Sequence, residues 1–124
     1  MKFTIGELGQ IEADNVNDLL RPLRVNKECD IYSVDELVAF IYQSLSIFNE
    51  TPMFTMFTLG DTSFIEKFYD VLIHGAVCLA LAHKSIIEHS DGGFTISDLL
   101  QAPKGKELDR WMDIVRVIKK EVIS

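Results

Sequence analysis

One stretch constrains this fold more than any other. From Thr62 or Ser63 to His89 the chain keeps helical spacing, with Phe64, Ile65, Phe68, Leu72, Ile73, Ala76, Leu79, Ala80, His83, Ile86 and Ile87 spread over a wide arc. Ser63 and Glu66 stand at the S-x-x-E spacing of a capping box, which marks the start. A helix this broadly apolar has to be covered on more than one side, so it is central and the other elements are built around it. At 1.5 Å per residue, roughly 27 residues make a rod of about 40 Å. Its most apolar part, VLIHGAVCLALA at residues 71–82, contains His74 and is flanked by Asp70 and His83-Lys84. A membrane span needs ~20 apolar residues, so this run is a core segment instead. Gly75, Ala76, Ala80 and Ala82 are small and let another backbone approach closely. The mid-helix glycine costs about 1 kcal/mol.

Two amphipathic helices flank that rod. The first is predicted over residues 33–48, opened by a Ser33/Glu36 capping box and stopped by Pro52. Val34, Leu37, Val38, Ile41, Leu45 and Phe48 form its apolar face. The last helix is predicted over residues 106–122, with Leu108, Trp111, Met112, Val115, Ile118 and Val122 in one stripe. Lys119 and Lys120 would complement its C-terminal dipole. Ser90-Asp91-Gly92-Gly93 reads as a turn. Phe3-Thr4-Ile5 and Phe94-Thr95-Ile96 read as strand-like triplets that could pair. Residues 14–20 suggest one helical turn, broken at Arg21-Pro22 because the residue before a proline avoids the helical region. The expected fold is therefore mainly α, a helical bundle built around one long central helix, with a minor short β element. Residues 1–35 would be an N-terminal arm or short β/irregular segment, and residues 36–124 the helical domain.

Composition narrows the function classes. At 124 residues and 48% hydrophobic, the chain suits one folded domain and not a disordered segment. Twelve basic against nineteen acidic residues give a net charge of −7, and the basic ones are scattered. Direct nucleic-acid binding needs a basic face that neutralises phosphates, so it is not expected. The residues after Met1 are too polar for a signal peptide, and Cys29 and Cys78 form no C-x-x-C, so both thiols are expected reduced. His74 and Cys78 lie four apart on one helix face, but no second pair stands at a ligand spacing, since His83 and His89 are six apart. The pairs Glu12/Asp14 and Asp35/Glu36 sit where helix capping explains them. There is no G-x-S-x-G, no phosphate-binding G-x-x-x-x-G-K-[ST] and no G-x-G-x-x-G. No catalytic, cofactor-binding or metal-binding residue is nominated, and the expectation is a non-enzymatic protein. A ligand pocket near His74, Cys78 and Trp111 is the weaker alternative.

The segment NETPMFTMFTLGD, residues 49–61, is unusually apolar for a connection. Met53, Phe54, Met56, Phe57 and Leu59 have to be buried somewhere. Two readings stand open: the loop folds down over its own helices, or it docks into a neighbouring subunit. Asn49 and Thr51 are expected to tie its backbone.

The pattern Phe48-Asn49-x-Thr51-Pro52-x-x-Thr55-x-Phe57-Thr58 resembles a loop in structural proteins of tailed bacteriophages. In those proteins such a loop precedes a long helix with a G-A-x-x-x-A-L-A-like core, here Gly75-Ala76-Val77-Cys78-Leu79-Ala80-Leu81-Ala82. An F-T-I-x-D-like strand and a lysine-rich closing helix follow; Phe94-Thr95-Ile96-Ser97-Asp98 and residues 111–120 look similar. The likeness covers residues 36–122 and departs at Asp98-Leu99-Leu100, where the family often has D-N-G or D-Q-G. It implies a virion component of the neck, tail or baseplate, assembled in the bacterial host cytoplasm. Its implied partners are other virion structural proteins and copies of itself, arranged as a homo-oligomeric ring, without a membrane or direct nucleic-acid contact. The interface candidates are Pro52, Met53, Phe54, Phe57, Leu59, Phe94, Ile96 and Trp111. The alternative is a small cytoplasmic helical adaptor or regulatory module acting as a dimer.

Overall fold

A computed structural model describes residues 6–86 and 96–122 of the chain. Five helices follow in order: α1 (Gly6–Arg24), α2 (Val34–Glu50), α3 (Thr62–Ile86), α4 (Ile96–Gln101) and α5 (Gly105–Val122), with a short 3-10 turn at Lys27–Cys29. The protein is mainly α, and α3 is its centre: α1, α2, α4 and α5 all pack on it.

The broad apolar arc explains that position. Leu72, Ala76, Cys78, Leu79, Ala80 and Ala82 of α3 are all buried. The helix is not one straight rod, because Phe68 leaves helical geometry (φ −112°, ψ 23°) and kinks it. It also begins differently from the expected capping box. Asp61 accepts the first helical bond, from Ile65 N–H at 3.0 Å, so Ser63 lies inside the first turn. Gly75 does admit a close neighbour, but the neighbour is a side chain. A Cβ there would meet Trp111 Cζ2 at 2.2 Å and Ser44 Oγ at 2.5 Å.

The Ser33/Glu36 capping box opens α2 as expected. Ser33 N–H donates to Glu36 Oε1 at 3.0 Å, and Glu36 N–H donates to Ser33 Oγ at 3.2 Å. Its buried face is Leu37, Phe40, Ile41, Ser44, Leu45, Ile47 and Phe48. Val34, at the first position of the helix, is exposed instead.

The N-terminal segment is corrected. Within residues 1–35, α1 is a full helix and belongs to the same core as the rest. Val16, Leu19, Leu20 and Leu23 follow helical spacing and are buried. Pro22 does not end the helix, because it stands in the last turn. A proline has no N–H to give to the carbonyl four residues back. That carbonyl, on Asp18, accepts the Tyr69 hydroxyl at 2.8 Å instead.

The minor β element is not seen among the described residues. Ile96 opens α4, where Ile96, Leu99 and Leu100 use helical spacing to face the core. Burial at three and four residues apart outweighs the alternating look of the triplet. Phe3, Thr4, Ile5, Phe94 and Thr95 lie outside the described residues.

Candidate interaction surface

The loop between α2 and α3, residues 51–61, divides into an inner and an outer face. Inward, Leu59 is buried and Phe57 stacks on Phe64 with ring centroids 4.1 Å apart and planes 9° apart. Phe48 packs on Phe64 and Phe68 at 5.3 and 5.1 Å, closing an aromatic cluster beneath the loop. Outward, Pro52 is exposed, and Met53, Phe54 and Met56 keep 44%, 79% and 93% of their surface in solvent. The first reading of the loop holds in part. It folds over its own helices, and it leaves a row of large apolar side chains uncovered.

Side chains of three helices hold the backbone. Asn49, in the last turn of α2, donates Nδ2 to Phe57 O at 2.9 Å and accepts Phe57 N–H on Oδ1 at 3.1 Å. Its Oδ1 also accepts the Thr55 hydroxyl at 2.9 Å. Thr51 Oγ1 turns back to Ile47 O at 2.7 Å. Both residues tie the backbone as the sequence suggests. From α1, Asn15 Nδ2 donates to Leu59 O at 2.8 Å. The turn into α3 is closed by Thr58 N–H donating to Asp61 Oδ2 at 2.7 Å.

The strongest tie comes from α5. Lys119 is fully buried, and its Nζ donates to Phe48 O and Thr51 O, each at 2.6 Å. Asn49 O and Thr55 Oγ1 lie at 3.3 and 3.2 Å. The ammonium also stands 5.0 Å from the centre of the Phe48 ring. Burial pushes its pKa below the ordinary lysine value. Lys119 does not serve the dipole of its own helix, as the sequence suggests. It meets the negative C-terminal end of α2, where carbonyls lack intrahelical donors.

The nominated residues separate clearly. Pro52, Met53 and Phe54 are on the outer face. Phe57 is half-buried and Leu59 is core. Trp111 is also core, with Nε1 donating to Val71 O at 2.8 Å, and is fully buried within the single chain. Ile96 is half-buried and walls a groove of about 300 Å³ beside the loop, with Ile47, Pro52 and Met112. Phe94 lies outside the described residues. Met56 and Lys119 belong to the surface and its support but were not nominated. Met56 could be found from the apolar excess of the loop; Lys119 had no local signal.

His74 is exposed while Cys78 is buried, so the pair does not converge on one site. Burial, more than the nearby Glu107, pushes the Cys78 thiol up to about 11. Among the described residues, no group of three or more His, Cys, Asp or Glu could hold a metal ion. None of their helices is long and apolar enough to cross a membrane. Comparison of the chain with protein-family models, curated proteins and solved structures finds no match.

Proposed function

We propose that this protein is a non-enzymatic subunit of a larger assembly and that it acts through the outer face of the 51–61 loop. One observation carries the reading: Phe54 and Met56 are 79% and 93% exposed on a backbone that is itself tied from both sides. Large apolar side chains in water are favourable to cover. A held backbone presents them with little ordering cost on binding. The resemblance to tailed-phage structural proteins makes that assembly a virion neck, tail or baseplate. In this reading copies of the chain form a ring, and other virion proteins stack on it. Heterologous contacts of this kind close into rings when the rotation allows.

The test is solution mass by light scattering after size exclusion, over a concentration series of the full chain. A discrete ring or stacked rings support the virion reading. A concentration-independent dimer supports the adaptor alternative. A monomer at every concentration contradicts self-assembly through this loop.

A further inference from the structure

We propose that Lys119 is the positioning residue of the loop: its ammonium makes the presentation of residues 52–56 depend on the docking of α5. The purpose of this coupling rests on the proposed binding role of the loop; the coupling itself is a property of the single chain.

Three observations carry it. First, α5 packs mainly on α3 and touches α2 little, yet Lys119 crosses to the C-terminal end of α2. Second, all four oxygens around Nζ belong to residues 48–55, where helix gives way to loop. An ammonium has three N–H groups, and no water reaches this one, since Lys119 is 0% exposed. Among the described residues, no carboxylate pairs with it. A buried cation without an anion is costly unless dipoles replace its water, and here backbone carbonyls do. An apolar side chain would continue the stripe of Leu108, Trp111 and Val115, but would take this donor from Phe48 O and Thr51 O, while Asn49 O keeps the Thr55 N–H. Third, the ammonium is linked to the other tie of the loop. Thr55 Oγ1 faces Nζ and donates to Asn49 Oδ1, which also accepts Phe57 N–H. The chain Lys119–Thr55–Asn49–Phe57 brackets the exposed residues from both sides.

The experiment is backbone NMR relaxation on the full-length wild type and on Lys119→Met. Relaxation reads the native state directly, so a loss of global stability does not imitate loop motion. In the wild type the order parameters of Met53, Phe54 and Met56 are expected near the rigid value of ~0.85, and in Lys119→Met below ~0.6, with α1 unchanged. Should Lys119→Met fail to fold, Thr55→Val removes one acceptor and the Asn49 link, and the same loop residues should show a smaller fall. Unchanged loop order parameters in whichever variant folds overturn the proposal. The binding role fails separately. A loosened loop in Lys119→Met, with association indifferent to substitution of Phe54 and Met56, leaves the coupling and removes its purpose.

Discussion

The two connections that flank α2 solve the same problem differently. Residues 25–33 and residues 51–61 each expose large apolar side chains, Val25 and Ile31 in one, Phe54 and Met56 in the other. The first is held by plugging its own side chains into the core. Cys29 and Tyr32 are buried, and the Tyr32 ring meets Phe40 edge-on at 5.0 Å. The Tyr32 hydroxyl donates to Ala80 O at 2.9 Å, which leaves His83 Nδ1, 3.2 Å away, to act as the donor to it. Every group in that anchor can be neutral. The second connection turns much of its apolar surface outward, so burial alone does not hold it. Its hold comes from polar groups on three helices, one of them charged: Asn15, Asn49 and Lys119. A loop whose apolar side chains face solvent has to be fixed by hydrogen bonds from behind.

The difference can be broken at its strongest point first. Lys119→Met should cost about 3 kcal/mol, because buried carbonyls lose their donors at ~1–3 kcal/mol each and do not all find replacements. Denaturant melts of the two chains measure it. Asn49→Ala should cost about 2 kcal/mol by the same reasoning, since Phe57 and Thr55 lose partners. Tyr32→Phe, at the neutral anchor, keeps the ring packing and should cost only about 1 kcal/mol.

Acid sharpens the contrast. Burial holds the His83 pKa below 6.5, against a smaller opposing effect of Glu36. As pH falls through 6.5, the unfolded chain takes up the proton before the folded one does. Stability should therefore drop between 6.5 and the lower folded value, then level off. His83→Gln should flatten that part of the stability–pH curve, measured by urea melts. Glu36 works in the same sense and in a lower window. The Ser33 backbone N–H holds its carboxyl below 4.5, so its contribution is lost as pH falls from there. The smallest stability change is expected for Phe54→Ser with Met56→Ser, within about 0.5 kcal/mol, since both side chains are in solvent.

How much of this was legible follows from where each signal resides. The helices α2, α3 and α5 show in the spacing of their own apolar residues, and the Ser33/Glu36 cap is complete within four positions. The same spacing was present at Val16, Leu19, Leu20 and Leu23, but Pro22 reads locally as a break. The carbonyl it frees is satisfied by Tyr69, 51 positions away. The β reading of Ile96 failed for a related reason: three residues alternate convincingly, and only Leu99 and Leu100 reveal the helical period. In the loop, the apolar excess was plain, while its division into Phe57 and Leu59 inward and Phe54 and Met56 outward was not. That division depends on Phe64 below and on Lys119, whose acceptors lie 64 to 71 positions earlier in the chain.

The central claim is that the outer face of the 51–61 loop, and not the core beneath it, carries association. Light scattering of the wild type beside Phe54→Ser/Met56→Ser, at matched concentrations and with helicity checked by circular dichroism, tests it most directly. An assembled wild type and a variant of monomer mass with unchanged helical signal are expected. A variant that assembles to the same mass as the wild type would contradict it.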